Sequence, residues 1–198
     1  YQGSQVESST YQTVDDYGNV TASWLTDGNG VVKRSYSMPY LGDTQYVNRH
    51  IRNRLLYATV TANNVTTYLE SYGYDASYGC GRSLAILNKP LPFNQTELPV
   101  PYHDPAYSHT FTYRGNPSMR TVLGITTCTV YEKTGVVNEQ IDAMGSSVKR
   151  ENGETAGYTL PTQIRPNDTA ALATSISYNS AFQVSSVTGP NGEARQTA

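Results

Sequence analysis

The sequence predicts an all-β fold of stacked hairpins with little helix, on three observations. Residues that suit a pleated, half-buried surface dominate, with 24 Thr and 17 Tyr among 198 residues against 3 Phe and 1 Trp. Short runs of period-2 alternation recur, each bounded by residues that favour turns. No window of a dozen residues holds a 3.6-residue apolar stripe.

Taken in order, Asp16-Tyr17-Gly18-Asn19 and Asp27-Gly28-Asn29-Gly30 read as the first hairpin tips, because Asp, Asn and Gly tolerate positive φ. Val31 to Tyr36 and Leu56 to Thr61 read as strands, and Thr121 to Tyr131 and Thr174 to Tyr178 alternate in the same way. Gly115-Asn116-Pro117, Glu151-Asn152-Gly153 and Gly189-Pro190-Asn191-Gly192 are further expected tips. The one helical candidate, Asn138 to Met144, is short and ends at Gly145. From Asn88 to Pro105 five prolines recur, and Pro cannot donate to a ladder, so an extended edge or a connection is expected there. Residues 1–198 are read as one β-repeat region with that connection inside it.

Charge excludes some classes of function. A net charge of −2 provides no general basic field for nucleic acid. Mean hydropathy is −0.50, and the run Leu84-Ala85-Ile86-Leu87 is far short of the roughly 20 residues that span a bilayer. The opening Tyr1-Gln2-Gly3-Ser4 has neither an initiator Met nor an apolar leader, as expected of a mature product or an excised segment. Sequons at Asn19, Asn64, Asn94 and Asn167 are what chance supplies in a chain rich in Asn and Thr.

The sequence repeats one pattern several times. Asp16-Tyr17-Gly18 precedes Asp27-Gly28-Asn29-Gly30; Tyr131-Glu132-Lys133-Thr134-Gly135 precedes Ile141-Asp142-Ala143-Met144-Gly145; Tyr178-Asn179 precedes Gly189-Pro190-Asn191-Gly192. Tyr74-Asp75-Ala76-Ser77-Tyr78-Gly79 lies between them. Each unit places Tyr and an acid or amide before a Gly, then a strand, then another Gly turn. The expected physics is an Asx cap on the turn, Gly supplying positive φ, and Tyr stacking on the next hairpin with its hydroxyl in water.

These units resemble the YD repeats of bacterial Rhs proteins, and Tyr113-Arg114-Gly115-Asn116-Pro117 is similar to the RGN element found between such repeats. Asp15-Asp16-Tyr17 reverses the dipeptide, Glu132 and Asn179 replace the Asp, and repeat lengths vary. The resemblance implies stacked hairpins forming a twisted sheet strip or part of a hollow shell. It also implies a bacterial secreted or cell-surface setting, and as partners adjoining YD repeats or an enclosed toxin segment; the exposed edges of such a sheet could also pair between copies and make a self-assembling fibre. The implied anchors are Asp16, Tyr17, Gly18, Gly30, Tyr74, Asp75, Gly79, Tyr131, Gly135, Gly145, Tyr178 and Gly192.

No catalytic constellation is legible. His103 and His109 flank Asp104 without metal-site spacing, and no Gly-x-Ser-x-Gly elbow surrounds a serine. Apart from Asp15-Asp16, the acids are scattered singly. No cofactor or metal is expected, and the chain is read as non-enzymatic. Cys80 and Cys128 could form one disulfide, or Cys80 could be a buried thiol; two cysteines alone do not fix the pairing. Arg49, His50, Arg52 and Arg54, interleaved with Tyr46 and Tyr57, are the one basic cluster. Its ordinary reading is a solvated strand face with Arg stacked on Tyr. The alternative is a lectin-like surface in which Arg49, Arg52, Arg54 and Tyr57 meet glycans or an acidic partner.

Overall fold

The computed structural model describes residues 8–85, 112–132, 135–153 and 159–196. Its regular structure there is almost entirely antiparallel β, divided into two compact units.

The first unit, residues 1–74 and 113–126, has strands β1 (Ser9–Val14), β2 (Val20–Thr26), β3 (Val32–Ser37), β4 (Tyr57–Ala62) and β5 (Val65–Tyr74). Each is hydrogen-bonded to the next, and β5 pairs in turn with Pro117–Val122, the eighth strand in chain order. Cross-strand side chains knit the ladder together: Tyr11 opposes Trp24 in register, and their rings stack at 5.8 Å. The connection from β3 to β4 carries a single helical turn, α1 (Thr44–Val47), whose first turn is capped by Asp43 accepting from the Gln45 N–H at 2.8 Å. Tyr46 of that turn is buried and meets Tyr113 edge-on at 5.5 Å.

The second unit, residues 75–112 and 127–198, opens with a two-stranded ribbon, β6 (Tyr78–Gly79) and β7 (Arg82–Ser83). With Pro117–Val122 as β8, the ninth strand is β9 (Ile125–Tyr131), which begins in the first unit and continues in the second. After it come β10 (Val137–Ile141), β11 (Ser147–Asn152), β12 (Pro161–Pro166), β13 (Thr174–Tyr178), β14 (Val184–Thr188) and β15 (Ala194–Gln196), each pairing with the next. Cys128 lies opposite Ile141, and both are buried with Val130 and Leu84. Lys149 and Arg165 also lie opposite one another, a repulsive pair that Asp168 offsets by accepting from Lys149 at 2.8 Å and approaching Arg165 at 3.2 Å.

Several expectations change. Asn138 to Met144 is not helical: Asn138 to Ile141 lies in β10, hydrogen-bonded on both sides, and Asp142 then begins a turn. A short apolar spacing does not separate helix from buried strand, and tertiary pairing decides. Thr121 to Tyr131 is two strands rather than one, because Leu123 (φ 47°) and Gly124 (φ 85°) form a two-residue turn between Val122 and Ile125. Gly115-Asn116-Pro117 is the lead-in to β8, not a tip. Glu151 and Asn152 end β11, and the Gly153 N–H donates to the Leu160 carbonyl, so Glu151 and Asn152 are strand residues rather than a tip. The Pro-rich stretch 88–105, with His103, Asp104 and His109, lies outside the described residues.

Candidate functional site

What recurs in this chain is a turn. Asp15 accepts from the N–H groups of Tyr17 and Asn19 through one carboxylate oxygen, each at 2.9 Å. Its carbonyl accepts from Gly18 at 3.1 Å, and its own N–H donates to the Asn19 carbonyl at 2.9 Å. Asp27 repeats this wiring with Asn29, Val31 and Gly30, and Asp142 with Met144, Ser146 and Gly145. Asn179 repeats it with Ala181, Gln183 and Phe182. Glu132 and Gly189 make the two backbone bonds, to Val136 and Gly135 and to Glu193 and Gly192. The geometry is a three-residue hairpin loop whose last residue is left-handed: Gly18, Gly30, Gly135, Gly145 and Gly192 have φ of 83°, 76°, 84°, 85° and 81°.

The cap is therefore the residue three before the glycine. That places it on Asp15 rather than on Asp16, which stands exposed at the next position. The Asn19 side-chain amide, ahead of the backbone donors, lowers the pKa of Asp15; Lys33, 2.7 Å away, does the same for Asp27. At the Asn179 turn the glycine's place is taken by Phe182, with φ 59° and a largely exposed ring. Replacing Phe182 with Gly should relieve the left-handed strain, raising stability by about 1 kcal/mol in urea denaturation, an effect no other described tip offers in this wiring. A neutral or negative change would show that ring contacts outweigh the backbone.

The Tyr anchors behave differently from expectation. Tyr17 packs under the Arg52 guanidinium at 4.4 Å, but Tyr74 and Tyr178 do not point their hydroxyls at water. The Tyr74 hydroxyl donates to the Leu55 carbonyl at 2.7 Å and that of Tyr178 to the Pro161 carbonyl at 2.8 Å. Both rings stand at the last residue of their strands, β5 and β13, where a main-chain carbonyl lies within reach of the hydroxyl. Burial pushes the Tyr74 phenol from 10.0 up to about 12. A folded pKa raised above the unfolded one gives stability present in full below pH 10 and lost as pH rises through 12. The phenolate absorbance difference between the wild type and Tyr74→Phe should therefore titrate near pH 12; a midpoint near 10 would contradict this burial.

Asp75 follows at φ 48°, and Gly79 is buried in β6, where it is not a turn glycine. The turn of that ribbon is Cys80-Gly81, at φ 48° and 76°. Cys80 and Cys128 are joined in a disulfide, with Cα atoms 6.1 Å apart. Beside it, Arg82 pairs with Glu139 at 2.7 Å and donates to the Gly145 carbonyl at 3.2 Å.

The basic cluster is turned toward the protein. Arg49 donates to the Tyr113 carbonyl, Arg54 to the Gly115 carbonyl at 2.8 Å, and Arg52 lies on Tyr17 while its own carbonyl accepts from the Asn19 amide at 2.9 Å. Tyr57 leans on Tyr68 with centroids 5.5 Å apart. The structure thus brings Arg49 and Arg54 together around Tyr113-Arg114-Gly115 and puts Arg52 on the first hairpin turn, while Tyr57 belongs to a separate cross-strand pair. The Asn19 amide is engaged inside the fold, and Asn167 accepts from the Ser147 N–H at 2.7 Å.

Sequence reasoning missed a buried polar knot in the second unit. Glu132 accepts from the Asn138 amide at 2.8 Å and lies 3.4 Å from that of Asn152, and all three residues are buried. A Glu where Asp15, Asp27 and Asp142 stand in their turns was the available signal: its longer side chain reaches across to neighbouring strands instead of folding back on its own turn. Among the described residues no group of three or more His, Cys, Asp or Glu side chains converges as a metal ion would require. No helix among them is long and apolar enough to cross a membrane.

No protein-family model matches this sequence, and no curated protein matches it. Among solved structures the chain is similar to a crystal structure of TcdB2-TccC3, with 11% identity, 96% of this chain and 11% of that one covered, and a TM-score of 0.36. It is also similar to a structure of the Photorhabdus luminescens Tc holotoxin pore, at 13% identity, 96% and 10% coverage and a TM-score of 0.33. The crystal structure of TcdB2-TccC3-Cdc42 matches at 12% identity, 92% and 10% coverage and a TM-score of 0.34. The chain spans about a tenth of the length of those chains.

Proposed function

We propose that this chain is an architectural, non-enzymatic β-repeat segment of YD/Rhs type, acting outside the cell or on its surface as part of the wall of a larger assembly. The observation that carries this reading is the hairpin turn wired alike at Asp15, Asp27, Asp142 and Asn179. A chain that rebuilds one turn from different residues is selected for the path of its backbone rather than for a set of exposed side chains. The partners that fit are adjoining hairpins, which extend an antiparallel ladder by nearest-neighbour pairing. With Arg49 and Arg54 bonded to backbone carbonyls and Arg52 laid on Tyr17, the architectural reading is favoured over the lectin-like alternative.

The test is the mass of the natural polypeptide under denaturing, reducing conditions, together with its sedimentation under native ones. A natural chain much longer than 21.7 kDa, or a 21.7 kDa chain that assembles with itself, is the expected result. A 21.7 kDa chain that stays monomeric at all concentrations would overturn the proposal.

A further inference from the structure

We propose that the Cys80–Cys128 bond, with the Arg82–Glu139 ion pair, forms a redox-sensitive latch that holds the β6–β7 ribbon on the second unit and releases it locally on reduction. The ribbon has only the pairs Tyr78 with Ser83 and Gly79 with Arg82. A two-stranded ribbon of this size does not persist on its own in water. What keeps it in place is its attachments. Cys80 at its tip is bonded to Cys128 on β9; Arg82 reaches Glu139 on β10 and the carbonyl of Gly145 in the next turn; Leu84 is buried, and its N–H closes the ribbon by donating to the Ser77 carbonyl at 2.9 Å. The covalent attachment is the one that does not open and close by itself, and the ion pair is partly exposed on its Arg side, at 39%.

The two sulfurs differ in access. Cys80 is half-buried in its turn, whereas Cys128 is 2% exposed. A thiolate of a dithiol reductant therefore attacks Cys80 Sγ. The Sγ–Sγ bond breaks, and its electron pair leaves on Cys128 Sγ, which takes up a proton. The reductant's second thiol then attacks its own sulfur in the mixed disulfide and releases Cys80 as a thiol. The net change is two electrons and two protons passed to the protein and a disulfide left in the reductant. Once free, the ribbon keeps, among the described residues, the noncovalent attachments of Arg82 and Leu84, so its opening becomes a low-energy local event while the β9 to β14 ladder keeps its own hydrogen bonds.

Limited trypsin digestion of the full chain, with and without dithiothreitol, tests this, with fragments identified by mass. In the reduced protein, cleavage after Arg82 should outpace cleavage after Arg150 in β11 by about tenfold or more, because Arg150 is reached only when the whole unit opens, whereas in the oxidised protein both should be slow. The double variant C80S/C128S should show the fast Arg82 cleavage in both conditions. Glu139→Gln should speed it further in the reduced protein and leave the oxidised protein protected. Equal Arg82 cleavage with and without reductant would overturn the latch. So would cleavage at Arg82 no faster than at Arg150 in the reduced protein, which would mean that the ribbon opens only with the whole unit. If the double variant does not fold, native protein reduced and then capped with iodoacetamide answers the same question.

Discussion

Gly115→Ala should destabilise the first unit by about 3 kcal/mol, whereas Gly18→Ala should cost only about 1. Both glycines have positive φ, at 71° and 83°, so each substitution carries the left-handed penalty of an L side chain. They differ in their surroundings. A Cβ at Gly18 meets nothing within 4 Å, but at Gly115 it would lie 2.8 Å from Ile51 Cγ2 and 3.0 Å from Arg54 Nε. Ile51 is half-buried and Arg54 is committed to the Gly115 carbonyl, so neither yields freely, and an overpacking cost adds to the strain. Urea denaturation followed by the emission of Trp24, which lies in this unit, measures both. Equal shifts for the two variants would mean that the Tyr113-Arg114-Gly115 lead-in does not press on the Ile51 to Arg54 segment as described.

Removing the disulfide should cost the second unit about 4 kcal/mol, the chain-entropy value for a loop closed between cysteines 48 residues apart. Hydrogen exchange of the β9 to β11 amides in C80S/C128S checks this, since the most protected amides there report opening of the whole unit. A change under 1 kcal/mol would mean that the unfolded chain is already held compact across the loop, or that native contacts relax to replace the link. The first unit contains neither cysteine, so its Trp24 transition should stay where it is.

The fold class was legible because it rests on averages. Thr and Tyr in short alternating runs, punctuated by Gly and Asn, state an antiparallel β chain whichever residues take which place. The turns ending at Gly18, Gly30 and Gly192 were legible to within one residue, and that residue mattered. The Tyr-Asp pairing drew attention to Asp16, while the hydrogen bonds obey the three-residue spacing to glycine and select Asp15. The turn at Leu123 was invisible because Leu is not a turn former; the strands on either side impose a conformation its own propensity opposes. Likewise, the basic residues from Arg49 to Arg54 look like a ligand patch in sequence. The acceptors of Arg49 and Arg54 are backbone carbonyls some sixty residues away, at Tyr113 and Gly115, which no local pattern reveals.

The self-contained turn also bears on how such a chain changes over generations. At Asp15, Asp27, Asp142 and Asn179, the bonds that shape the loop close within five consecutive residues. Large buried apolar side chains are few among the described residues, so little of the fold depends on a distant jigsaw. A pair of strands copied or deleted with its loop therefore brings along, or takes away, its own folding instructions. Alternation continues in phase as long as strands are gained or lost in twos. Descendants of such a sequence can then differ in length by whole hairpins and still fold.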